Sequence, residues 1–263
     1  MRLQHGQKLS GWTIVNRSVA IGVLLFLSFP IVIVAILSFS SADTLTFPPP
    51  GFSLRWYERL WSMTSWWDAL WVSLKVALIA TVVSTCLAMA ASFALVRGRF
   101  PGKRYIYALI FSPMIVPTII SAVALYFFFA KIGANGSILA MALGHTVLAL
   151  PVAVMVLCAS LQGIDRRLEM AAQSLGAGPV RIFFRITLPL IWPAAATAAL
   201  FSFLTSFDEL LIPLFLSGVG TETLSVRIWN SLLLEVDPMI AAVSTLFVIT
   251  TAAILLIIAM LRR

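Results

Sequence analysis

Residues 162–188 read QGIDRRLEMAAQSLGAGPVRIFFRITL. This polar stretch separates two long uncharged runs and predicts two short helices. Asp165 suits the N-cap of the first, and Glu169 lies in its first turn, near the positive end of the helix dipole. Leu168, Ala171, Ala172 and Leu175 recur at helical spacing. Gly176-Ala177-Gly178 ends that helix, Pro179 suits the first position of the next, and Pro189 is read as opening the following apolar run. Ala171 and Ala172 are small enough to let another surface approach closely. A short helix tied at both ends to spanning helices can transmit a push; it can equally lie flat on lipid.

The runs on either side set the fold class. No charge occurs between Arg17 and Asp43, Lys75 and Arg97, Arg104 and Lys131, Lys131 and Asp165, Arg185 and Asp208, or Asp237 and Arg262. Each gap exceeds the ~20 residues a helix needs to cross ~30 Å of hydrocarbon. The expectation is an all-α polytopic membrane protein with six transmembrane helices, near 18–39, 70–96, 104–130, 137–161, 189–217 and 239–261. Period-2 alternation is absent, which argues against a β-barrel. The first run is too long for a signal-peptide core and contains Pro30, so it reads as an uncleaved helix.

Composition agrees. Of 263 residues, 61% are apolar and 11% charged, and the mean hydropathy is +1.03. Soluble domains carry roughly 45–50% apolar and about 25% charged residues, so a soluble enzyme and a disordered chain are excluded. The net charge of +8 would suggest nucleic acid on a soluble protein, but here it follows topology and implies no nucleic-acid partner. With six spans, one face holds Arg2, Lys8, Arg17, Arg97, Arg99, Lys103, Arg104, Arg166, Arg167, Arg181, Arg185, Arg262 and Arg263. The other holds Arg55, Arg59, Lys131 and Arg227, while Lys75 snorkels from the start of the second span. Both termini are therefore expected in the cytoplasm. The outer loop 40–69 contains Pro48-Pro49-Pro50-Gly51 and then Trp56, Tyr57, Trp61, Trp66 and Trp67. It predicts an interfacial helix over 53–63, either an aromatic anchor in membrane lipid or a docking surface for an external partner.

The spacing within 162–188 carries a resemblance. Ala171-Ala172, three residues, Gly176, nine residues, then Ile186, Thr187, Leu188 and Pro189 resembles the EAA loop of ABC-importer permeases, E-A-A-x3-G-x9-I-x-L-P. Met170 stands where the motif glutamate usually sits, and Glu169 precedes it by one position. The resemblance implies a single type I, MetI-like permease domain over 1–263, whose 162–188 loop couples to a partner ATPase. By the same resemblance, 169–178 form the coupling helix. Glu169, Ala171, Ala172, Leu175, Gly176, Ala177 and Gly178 would then form the coupling face. ATP and Mg would be bound by a dimer of the ATP-binding subunit, and no cofactor by this chain. An external solute-binding protein and a second, non-identical permease would complete a bacterial inner-membrane importer.

Ser112-Pro113 and Val116-Pro117 resemble the family's proline-interrupted helix, and Ser206-Phe207-Asp208-Glu209 is similar to the Ser-Leu-Asp-Asp stretch of spermidine/putrescine permeases. That points to a polyamine as solute, with opines or phosphonates as the alternative within the same class. The candidate pathway residues are Asp208, Glu209, Thr205, Ser202, Phe207, Pro113 and Pro117; the carbonyls that the two prolines free either line a pathway or simply accommodate a kink. Intramembrane carboxylates cost about 2.5 kcal/mol or more each, so they must face protein or water. Ser202, Thr205, Ser206 and Glu209 recur at helical spacing as a polar stripe. Carboxylates beside rings suit an amine cation, though an ion pair with another span would also explain them. His145, alone in span 4, is read as bonded within the bundle, and Cys86 and Cys158 as apolar packing. An intramembrane enzyme is the contrasting class, but no GxxxxGK[ST], HExxH or GxSxG motif occurs, and two histidines make a His-based metal site improbable.

Overall fold

The computed structural model describes residues 11–234 and 238–261. In chain order the helices are α1 (Gly11–Leu37), α2 (Arg55–Ser62), α3 (Thr64–Arg97), α4 (Lys103–Phe111), α5 (Thr118–Lys131) and α6 (Ile138–Gly163). They continue as α7 (Arg166–Ser174), α8 (Pro179–Ile182), α9 (Leu188–Phe207), α10 (Leu211–Leu216), α11 (Leu224–Leu234) and α12 (Met239–Leu261). A 3-10 turn covers Ser112–Met114 and a π-helical turn covers Phe183–Thr187. Among the described residues there is no strand, only an isolated bridge between Ser40 and Phe52. Arg2, Lys8, Asp237, Arg262 and Arg263, used above to place spans and orientation, lie outside the described residues.

The chain divides into two compact units, residues 1–64 with 230–263, and Ser65–Trp229. In the first, α1 and α2 both pack on α12. The 40–62 segment is pinned by side chains: Trp56 Nε1 donates to the Ser40 carbonyl at 2.8 Å, and the Ser38 and Tyr57 hydroxyls are 2.7 Å apart. The Arg55 guanidinium lies 4.7 Å from the Trp56 ring centroid and pairs with Asp43 at 2.9 Å. A short helix, α2, stands within the expected 53–63 stretch, with Trp56 buried and Trp61 exposed.

In the second unit α6 is the central helix. Its apolar window is 56% buried, against 33% for α3 and 28% for the Pro179–Phe207 helix. One core joins Val72 and Val76 of α3, Ala122 and Phe129 of α5, Ala140–Ala142 of α6, and Ile212 and Leu216 of α10. The other joins Ala88 and Leu95 of α3, Ala153, Val154, Leu157 and Leu161 of α6, and Ile191, Ala195 and Ala198 of α9. Alanine dominates because membrane helices gain from close approach and from buried polar contacts rather than from expelling water. Ser92 supplies one such contact, donating to the Val154 carbonyl at 3.2 Å.

Two expected spans are corrected. The run 104–130 is not one helix: Lys103–Met114 and Thr118–Lys131 meet at 103°. Pro113 enters the 3-10 turn and Pro117 takes φ −53°, ψ 130°, so neither supplies an amide to a continuous ladder. The run 189–217 is also not one helix. The helix begins earlier, at Pro179, passes through Pro189, and stops at Phe207. Pro189 is accommodated because the π turn widens the coil ahead of it, with the Leu188 amide reaching back to the Phe183 carbonyl. Among the described residues, four uninterrupted helices are long and apolar enough to cross a membrane, and the bent pair makes five. The sixth expected span, 239–261, coincides with the helix α12, 23 residues long.

Candidate functional site

The loop after α6 folds as its sequence dictates. The Asp165 carboxylate accepts from the Arg167 amide at 2.9 Å and caps α7. At the other end Gly176 has φ +81°, with its amide donating to Gln173 and the Ala177 amide to Ala172. These two bonds are a Schellman closure. Open space surrounds the position a Gly176 side chain would take, so the demand for glycine comes from φ alone.

Ala171, Leu175, Gly176 and Gly178 are exposed, and Ala172 and Ala177 are half-buried. Leu175 is 89% exposed. Beside them lies an open groove of about 480 Å³ lined by Gly176, Gly178, Pro179, Val180, Arg181, Phe184 and Arg185. Val180 and Phe184 were not singled out in the sequence, and Arg181 and Arg185 were used there only for orientation, although the i, i+4 spacing of Val180–Phe184 and Arg181–Arg185 is legible.

Glu169 does not join this face. It is 8% exposed, and its Oε1 accepts from Arg97 Nε and from the Thr187 hydroxyl, each at 3.2 Å. Arg97 Nη2 stands 3.2 Å from the same oxygen and donates to the Ile164 carbonyl at 3.2 Å. Glu169 Oε1 is thus engaged inside the chain, whereas the other residues expected on the coupling face are exposed or half-buried. Its position in the first turn of α7 points it toward the end of α3. No signal in the sequence pairs it with Arg97.

The second cluster is the break between α9 and α10. Asp208 is exposed at the end of α9. Glu209 is half-buried, and its Oε1 accepts from the amides of Leu211 at 2.8 Å and Ile212 at 3.3 Å, which caps α10. The Ser225 hydroxyl donates to the freed Phe207 carbonyl at 3.3 Å. Phe207 stacks on Phe203, with centroids 5.5 Å apart. The polar stripe turns inward: Ser202 and Ser206 are buried, Thr205 is half-buried, and Ser206 Oγ lies 2.7 Å from His145 Nδ1. Asp208 and Glu209 are therefore adjacent in sequence but unlike in surroundings. Pro113 and Pro117 sit at the other break, the bend between α4 and α5. Among the described residues no three His, Cys, Asp or Glu side chains gather as a metal site.

Residues 84–263 match the family described as the binding-protein-dependent transport system inner membrane component. The spermidine/putrescine transport system permease protein PotC of Haemophilus influenzae is 32% identical over 238 residues, 90% of this chain and 92% of that one. The putrescine transport system permease protein PotI of Escherichia coli K12 is 34% identical over 228 residues, 84% of this chain and 81% of its own. A chain of a bacterial ABC transporter that imports the acidic polysaccharide alginate superposes with a TM-score of 0.73 at 17% identity, covering 99% of both chains; it attests the fold. The chain belongs to the binding-protein-dependent transport family, as an inner-membrane permease subunit of an ABC importer rather than an enzyme.

Proposed function

We propose that this permease carries a polyamine such as putrescine or spermidine. The observation that carries the reading is Asp208, an exposed carboxylate where α9 breaks off inside an apolar run. A charge in that setting is expensive unless water or a cation meets it. A diamine satisfies it through charge-assisted hydrogen bonds, with the stacked Phe203 and Phe207 rings nearby in the chain. The names of the relatives that match most of the chain support the same solute class.

The coupling reading places 162–188 in the cytoplasm, together with both termini. A dimer of ATP-binding subunits would dock against Leu175 and the groove beside it, with acidic residues answering Arg181 and Arg185. A second, non-identical permease would complete the pathway, and an external binding protein would deliver solute. ATP and Mg would stay in the docked subunits. The test is uptake in cells stripped of their own polyamine importers and expressing this chain with its partner subunits. Labelled putrescine or spermidine should accumulate, and excess unlabelled phosphonate should not compete. Uptake of labelled phosphonate with no polyamine uptake would overturn the solute assignment.

A further inference from the structure

The node around Glu169 joins four elements through one carboxylate and one guanidinium. Arg97 ends α3, Ile164 follows α6, Glu169 belongs to α7, and Thr187 closes the π turn that runs into α9. All three side chains are shielded. Those of Arg97 and Glu169 are 12% and 10% exposed, and Thr187 is fully buried. A surface ion pair yields under load because water replaces either partner at little cost. A shielded pair does not, since separating it strands a charge without solvent. The exposed face of α7, with Ala171 and Leu175, is free to be pushed while its inner edge stays bonded to α3 and α9.

The π turn adds a reason for this geometry. Its extra residue rotates α8 relative to α9, and Thr187 is the residue it delivers to Glu169. From Thr187 the helix runs unbroken to Phe207, beside Asp208. A displacement of α7 therefore has a continuous stiff route to the break that exposes the pathway carboxylate.

We infer that Arg97, Glu169 and Thr187 are positioning residues that lock α7 to α3 and α9, so that motion received at the coupling face arrives at the Asp208 break. This rests on the coupling reading proposed above. Thr187 isolates the effect, because Thr187→Val removes the hydroxyl while keeping the shape and Thr187→Ser keeps the hydroxyl.

The experiment uses the complete complex, with its ATPase, partner permease and binding protein, in proteoliposomes. It measures co-purified ATPase, ATP hydrolysis, labelled putrescine uptake per ATP hydrolysed, and a spin-label distance between Gln173→Cys on α7 and Leu200→Cys on α9. In the complex with native Thr187, that distance stays fixed when a non-hydrolysable ATP analogue binds. Thr187→Val and Glu169→Gln keep the ATPase attached, yet uptake per ATP falls by about tenfold, the effect of losing one hydrogen bond to a charged group. In both variants the distance broadens with nucleotide, and Thr187→Ser retains the native behaviour.

Valine and serine variants that behave alike would overturn the inference. So would a Glu169→Gln complex that loses ATPase and uptake in parallel, which would mean a contact with the partner instead. If the native chain brings no ATPase with it, the coupling reading itself falls, an outcome distinct from a native complex whose α7–α9 distance changes with nucleotide.

Discussion

His145 Nδ1 and Ser206 Oγ lie 2.7 Å apart across α6 and α9, both side chains buried. This bond explains why the polar stripe of α9 faces the bundle while Asp208, two residues on, does not. Interhelical hydrogen bonds in membranes average about 0.6 kcal/mol and reach about 2 kcal/mol. Ser206→Ala should therefore lower stability by on the order of 1 kcal/mol. A detergent melting curve of the purified complex checks this, and uptake should survive the change.

Gly176 and Gly178 make a paired test of the loop. Gly176 holds φ +81° in open space, whereas Gly178 has φ −72° and equally open surroundings. Gly176→Ala should cost about 1 kcal/mol or somewhat more from the left-handed backbone alone, and Gly178→Ala should fall within ~0.5 kcal/mol of neutral. Gly176→Asp should leave membrane insertion intact while weakening ATPase attachment or transport. Pull-down of the ATPase at graded detergent concentration reads the difference.

Gly218 predicts a clash of another kind. A Cβ there would stand 2.9 Å from the Gly136 Cα, a backbone atom with no rotamer to yield. Thr221 Oγ1 bonds the same turn to the Gly136 carbonyl at 2.9 Å, and the Gly136 amide donates to Leu216 at 2.8 Å. Gly218→Ala should destabilise by about 1–3 kcal/mol, as overpacking does. Thermal unfolding measured beside Gly178→Ala separates it from a general glycine effect.

Much of this was legible in the residues. The uncharged runs located α1, α3, α6 and α12 to within several residues, and Asp165 and Gly176 announced the ends of α7. The resemblance marked the interruption at Pro113 and Pro117, but the local sequence around each proline did not separate it from the prolines that stay inside helices. Pro30, Pro151 and Pro193 lie inside continuous helices, while Pro113 and Pro117 accompany a 103° bend. The difference depends on whether neighbouring helices hold the chain straight, which local sequence does not encode. The break at Asp208 was hidden for a similar reason. Apolar residues continue to Leu216, and only the capping of α10 by Glu209 and the Ser225 bond to Phe207 make a stop tolerable there. The Arg97–Glu169 pair, 72 positions apart, has no local trace at all.

Orientation is tested by reporter fusions. Fusions after Arg99 and Arg181 should report cytoplasm, and fusions near Thr46, Asn135 and Glu222 should report the outside. A reporter at Arg181 that reads outside would contradict ATPase docking on the 162–188 loop.

Asp208→Asn, assayed for putrescine uptake in the reconstituted complex, bears most directly on the proposed solute. The side chain keeps its size and loses only its charge, at a position where the neighbouring Glu209 is already committed to α10. The expected result is a normally assembled complex whose uptake of putrescine drops about tenfold or more, in line with the loss of a charge-assisted bond. Unchanged putrescine kinetics in Asp208→Asn, or a native complex that accepts only an anionic solute, would contradict the assignment of a polyamine to this pathway.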